Sequence, residues 1–232
     1  MSGSGSRGGR SQGPPPYSLE NVAPELVRRE RLAPRALPVQ KRARQTVLHI
    51  LDCAAALVDE AGIEGFNTNL LAQRAGVRVR TVYRYYPSKL AILTELVFRL
   101  NDRLNEYAGP ISMLADPGRD WREIFGLWID RLLDFLREVP GARLMVGAAR
   151  GYPELVELQN RMYDRQAQEL EDALRGRGLE LPAAQMRALC RAVPEVFDTL
   201  ALLTHASEGD AADALRAEMK RWILGYLAQY LD

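Results

Sequence analysis

Residues 68–89, TNLLAQRAGVRVRTVYRYYPSK, constrain the fold more than any other stretch of the chain. Gly76 sits between two short segments of helical spacing, where the turn needs a left-handed residue. Before it, Leu70, Leu71 and Ala75 are expected to face inward; after it, Val77, Val82 and Tyr86. That leaves Arg78, Arg80, Thr81, Arg84 and Tyr85 toward solvent or a ligand. No acidic residue occurs between Glu64 and Glu95, yet Arg74, Arg78, Arg80, Arg84 and Lys89 do. A surface of one sign beside a turn between two helices suits a DNA phosphate backbone.

The flanking sequence is helical too. Val47, Ile50, Leu51, Ala54, Leu57, Val58 and Ala61 recur at three and four, so a helix runs from about Arg42 until Gly62 ends it. Asn67 or Thr68 can cap the next helix. Pro87 interrupts, and Ser88 can cap a long helix reaching about Tyr107. Gly109, Pro110, Asp116, Pro117 and Gly118 mark a loop. Further helices are expected at about 120–138, 141–150, 153–176, 183–207 and 209–231, with Pro and Gly at the breaks. Alternating strand patterns are absent, so the chain reads as all-α. Residues 1–40 are rich in Gly, Ser, Pro and Arg and read as a disordered basic extension, with a short helical turn near 25–31. The organisation is therefore an extension over 1–40, a helix-turn-helix domain over 41–90 and a helical domain over 91–232.

Charge divides the same way. Residues 1–94 hold fourteen basic and seven acidic residues, and residues 95–232 hold seventeen and twenty-three. Only the first part is suited to a polyanion. Cys53 and Cys190 lie far apart inside helical patterns and suggest neither a disulfide scaffold nor a metal cluster. His49 and His205 sit on separate helices and read as structural. No metal and no cofactor is expected. No segment approaches the ~18 apolar residues of a membrane span, and the first residues lack the apolar stretch of a secretion signal. The expected location is the cytoplasm. The sequence carries no phosphate-binding glycine loop, no HExxH helix and no GxSxG elbow, so an enzyme is not expected.

Gly62, Thr68, Ala72, Ala75-Gly76-Val77, Thr81-Val82-Tyr83 and Tyr86-Pro87-Ser88-Lys89 together carry a family pattern. From Arg42 to about Val97 the chain resembles the DNA-binding domain of the tetracycline-repressor (TetR) family of regulators. It departs at Tyr85, where a histidine often stands. The resemblance implies a three-helix helix-turn-helix domain followed by a helical ligand-binding and dimerisation domain. It also implies a palindromic DNA operator, a homodimer and an unidentified small-molecule effector. Repression is the default it implies, with activation as the other sign; the competing reading is a helical scaffold or co-regulator without sequence-specific DNA binding.

On that basis the third helix enters the major groove. Arg80 and Arg84 share one helical face and Arg78 opens it, so these three are candidates for base readout; Val79 can meet a thymine methyl, and Asn69 a base. Thr68, Thr81, Tyr83, Tyr85 and Lys89 are expected on phosphates. Arg28, Arg29, Arg31, Arg35, Lys41, Arg42 and Arg44 form either an arm along the DNA or a solubilising tail. The ligand cavity is expected to be lined by Phe125, Trp128, Leu132, Leu144, Met145, Met162, Tyr163, Gln166 and Phe197, with Arg143 and Arg150 as polar candidates. The dimer interface is expected on the last two helices, through Leu189, Val193, Val196, Leu200 and Leu203 on one, and Trp222, Ile223, Tyr226, Leu227 and Tyr230 on the other.

Overall fold

The computed structural model describes residues 32, 34, 35, 40–109, 111–145 and 152–232. Among them are eight α-helices and no strand. Helix α1 spans Lys41–Gly65, α2 Thr68–Arg74, α3 Val79–Tyr85, α4 Lys89–Ala108, α5 Trp121–Glu138, α6 Pro153–Gly176, α7 Ala183–His205 and α8 Gly209–Leu231. Short 3-10 turns lie at Ile111–Ala115 and Ala142–Met145.

The first three helices pack as the apolar spacing requires. Ile50, Leu51, Ala54, Leu57 and Val58 bury one face of α1. Gly62 breaks that helix at φ 67°, ψ 177°, and a last turn carries on to Gly65. The Asn67 side chain caps α2 by accepting from the Leu70 amide at 2.9 Å. At the other end, the amide of Val77 reaches back to the Ala72 carbonyl at 3.0 Å while Gly76 takes φ 62°. That is the five-residue closure typical of a glycine-terminated helix. Ser88 caps α4, accepting from the Ala91 amide at 3.1 Å.

Helix α4 is the hub. Ala91, Ile92, Leu93, Leu96, Val97, Phe98, Leu100 and Leu104 are all buried, which surrounds most of its circumference. It contacts α1 on one side and α5 on another, while α6 packs on α7 and α7 on α8. A helix covered this widely shares its apolar contacts between the N-terminal helices and the C-terminal ones.

Four expectations need correcting. Leu70 is 37% exposed, and Leu71, Ala72 and Ala75 form the inner face of α2. Leu71, Ala72 and Ala75 follow one another at one, three and four residues and share one face, and Leu70 falls at its outer edge. Instead of a helix over 141–150, a 3-10 turn spans Ala142–Met145, and residues 146–150, Arg150 among them, lie outside the described residues. Gly141, at φ 80°, gives its amide to Asp59 Oδ2 at 2.9 Å and directs the chain against Ala55.

Third, the apolar stripes on the last two helices are divided. Leu189, Ile223 and Leu227 belong to the protomer's own core, whereas Leu203 and Trp222 point out, 52% and 54% exposed. Last, the inner end of the N-terminal extension is built into the fold: Leu32 is completely buried in the core. The turn expected near 25–31, with Arg28, Arg29 and Arg31, lies outside the described residues.

Candidate nucleic-acid interface and ligand cavity

Helices α2 and α3, with the turn between them, display the cationic run. Asn69, Arg78, Arg80, Tyr83 and Arg84 are exposed; Thr68, Val79 and Thr81 are half-buried. Arg78 is the residue before α3 and makes no capping bond with its side chain. Among the described residues, neither Arg78 nor Arg80 has an ion-pair partner within the protein. Arg74 does, pairing with Glu60, whose carboxyl this contact holds below its ordinary range. The Thr68 and Tyr83 hydroxyls lie 3.1 Å apart and tie the start of α2 to α3.

Two expected phosphate contacts are placed differently. Tyr85 is only 6% exposed. It follows buried Val82 by three residues and so shares its inward face. Lys89 turns back from the opening of α4. Its Nζ donates to the carbonyl of Ile63 at 2.6 Å and to the hydroxyl of Tyr152 at 3.2 Å. Ile63 belongs to the last turn of α1, whose carbonyls lack helical partners, so a cation there is well placed.

Arg35 was expected either on DNA or in water and is found behind α3. Its amide donates to the Tyr85 carbonyl at 2.7 Å and its guanidinium to the Tyr83 carbonyl at 3.4 Å, satisfying the end of that helix. Nothing in the local sequence signals this, because the contact joins residues 48 or more apart.

The C-terminal helices enclose two adjoining hollows that share Asn101, Leu104, Trp128, Gln166, Pro194 and Phe197. The larger is about 520 Å³. Leu132, Leu144, Met162 and Tyr163 line the smaller one, and Phe125 the larger. Trp128 meets Phe197 edge-on at 5.5 Å and Phe125 at 6.4 Å, a rigid aromatic wall. Arg143 is exposed and lines neither hollow. Its neighbours Ala142 and Leu144 take buried positions of that 3-10 turn. Met145 ends the 3-10 turn, and its side chain is outside the described residues.

Polar lining was largely missed. Asn101 is buried on α4 and donates to the Val97 carbonyl at 2.9 Å. Gln159 donates to the Tyr163 hydroxyl at 2.9 Å and to Asp198 at 3.3 Å, and the Tyr163 hydroxyl donates to Asp198. Burial and the Asp198 charge push the Tyr163 phenol far above its ordinary range, so it stays a donor. The i, i+4 spacing of Gln159 and Tyr163 was the available signal. Among the described residues no group of three His, Cys, Asp or Glu could hold a metal ion.

A short exposed cationic helix, held by a glycine turn on a three-helix unit and followed by a hollow helical domain, defines a helix-turn-helix DNA-binding regulator. The comparisons agree. Residues 50–96 match the bacterial regulatory proteins of the tetR family, and residues 120–227 match the tetracyclin repressor-like C-terminal domain. The chain belongs to the TetR family of DNA-binding transcriptional regulators.

The chain is 26% identical over 182 residues to the nucleoid occlusion factor SlmA of Shewanella amazonensis, covering 75% of this chain and 84% of that protein. It is 38% identical over 66 residues to the transcriptional repressor KstR of Rhodococcus jostii, covering 28% of this chain and 30% of KstR. Among solved structures, a TetR-family regulator from Streptomyces coelicolor shares the fold with a TM-score of 0.59 and 24% identity, over 80% of this chain and 99% of the other. No helix among the described residues is long and apolar enough to cross a membrane.

Proposed function

We propose that the protein is a cytoplasmic repressor that binds a palindromic operator as a homodimer and is released by a small molecule held in the C-terminal cavity. The observation that carries this reading is the position of α4. Its first residue, Lys89, lies beside the recognition helix, and Val97, Asn101 and Leu104 further along it line the hollow. A molecule that fits the hollow better in one arrangement of α4 than in another shifts DNA affinity by that difference and no more. Arg78, Arg80 and Arg84 read bases. Thr68, Thr81 and Tyr83 hold phosphates, and Asn69 and Val79 complete the footprint. Exposed Leu203 and Trp222 supply the outward part of the dimer face. Trp222 is stacked on Tyr226 at 6.0 Å, which preorganises a broad apolar surface.

Selection of bound fragments from random-sequence duplexes tests binding, symmetry and half-site spacing together. Titrating metabolite extracts into the resulting complex tests release. Fragments without twofold symmetry would refute the dimer reading, and an unaltered complex would refute release. A second reading takes its support from the SlmA resemblance, which runs through most of both chains. In it the DNA-bound protein acts in nucleoid occlusion, with no small-molecule release. It predicts that the selected sites are scattered over the chromosome and not placed at promoters.

A further inference from the structure

Lys89 ties the end of α1 to the start of α6, two elements that border the smaller hollow. It opens α4, immediately after the recognition helix. Its ammonium is bound by the Ile63 carbonyl at 2.6 Å and the Tyr152 hydroxyl at 3.2 Å. It also lies 5.3 Å from the centre of the Tyr152 ring and 6.0 Å from that of Phe66, within cation–π range. Tyr152 is the residue before α6 and leaves its helix uncapped by its own side chain. Ile63 itself and Leu155, in the first turn of α6, both line the smaller hollow. The atoms that hold Lys89 are therefore carried by elements that border the cavity.

We propose that Tyr152 and Ile63 form a latch that withholds Lys89 from the DNA backbone, so that the C-terminal domain restrains the affinity of the DNA-binding unit. To meet a phosphate, the ammonium must leave a carbonyl, a hydroxyl and two aromatic faces. Binding through the latched arrangement forgoes one charge-assisted contact per protomer; binding through the released one must first break these contacts. An occupant of the cavity beside Ile63 and Leu155 that fits the latched and released arrangements unequally shifts that balance, so the latch deepens the ligand response proposed above and rests on it.

The test is a double-mutant cycle that needs no ligand. Tyr152→Phe keeps the ring and removes the hydroxyl. Lys89→Met keeps most of the stem and removes the charge. Affinity for a duplex enriched by the wild-type protein is measured for all four combinations over a range of salt. Tyr152→Phe should tighten binding roughly three- to tenfold when Lys89 is present, the size expected for one lost restraining hydrogen bond. The log–log salt slope should steepen by up to about 0.9 for each lysine gained by a phosphate. In the Lys89→Met background the same tyrosine change should do nothing. A tyrosine effect of equal size in both backgrounds, or none in either, overturns the latch while leaving DNA binding intact. Failure of all four proteins to bind any duplex overturns the DNA reading itself.

Discussion

Gly76 offers a clean separation of backbone strain from packing. It adopts φ 62°, and a Cβ built there meets nothing within 4 Å. Gly76→Ala therefore costs only what an alanine loses in the left-handed region, about 1–2 kcal/mol. Against that stands a gain of about 0.4–1 kcal/mol, because alanine is less disordered than glycine in the unfolded chain. The expected net loss is about 1 kcal/mol, or roughly 2–4 °C in Tm for a protein of this size. Asparagine tolerates the left-handed region, so Gly76→Asn should recover most of the loss. Urea denaturation of the three proteins measures the difference. Gly141 is the control: it has φ 80°, but its Cβ would lie 3.0 Å from that of Ala55 and 3.1 Å from the Ala55 Cα. There asparagine should bring no relief. If Gly76→Asn proves as damaging as Gly76→Ala, contacts and not torsion govern the turn, and the reasoning fails.

Arg80→Ala should relax selectivity at a base position of each half-site, by about 1–3 kcal/mol for a bidentate contact, whereas Thr81→Ala should weaken all duplexes alike; competition among sequence variants separates the two. Burial, reinforced by the Asp102 charge, raises the Glu95 carboxyl above its ordinary value of 4.5. Its ionisation in the folded state then opposes folding as pH rises through that region, so Glu95→Gln should stabilise the protein at neutral pH. The gain should vanish below about pH 4.5, which denaturation at several pH values would reveal. Trp222→Glu, at an outward position, should leave the helical circular dichroism intact and shift sedimentation toward a monomer. Tyr163→Phe removes a donor to Asp198 inside the cavity. It should alter ligand release of DNA more than DNA affinity alone, as read by titration of the complex with the releasing extract.

Most of the fold was legible because apolar spacing and helix breakers coincide. Helix α6 runs from Pro153 to Gly176 and α8 from Gly209 to Leu231, the spans the Pro and Gly breaks predict. Where a pattern is short, direction is ambiguous: α2 offers Leu70 and Leu71 side by side, and only tertiary packing selects Leu71. The same limit applies to the site. The exposure of Arg80 and Arg84 on α3, and of Arg78 just before it, was readable from the acid-free run. The burial of Tyr85 and the inward turn of Lys89 depend on what lies behind α3 and at the end of α1, which no local pattern reports. Phe125, Trp128 and Phe197 were candidates for the lining through the family resemblance and not through spacing, and Asn101 and Asp198 line the hollows only through the packing of α4 and α7.

The clasp made by Leu32 and Arg35 has a practical corollary. Because the Arg35 amide closes the last turn of the recognition helix and Leu32 plugs the interior, trimming the chain to the apparent helical boundary at Lys41 would not yield a neutral minimal domain. A fragment begun at Lys41 should show faster amide hydrogen exchange around Tyr83 and Tyr85 than one begun upstream of Leu32. DNA affinities measured on such a fragment would report a loosened reader.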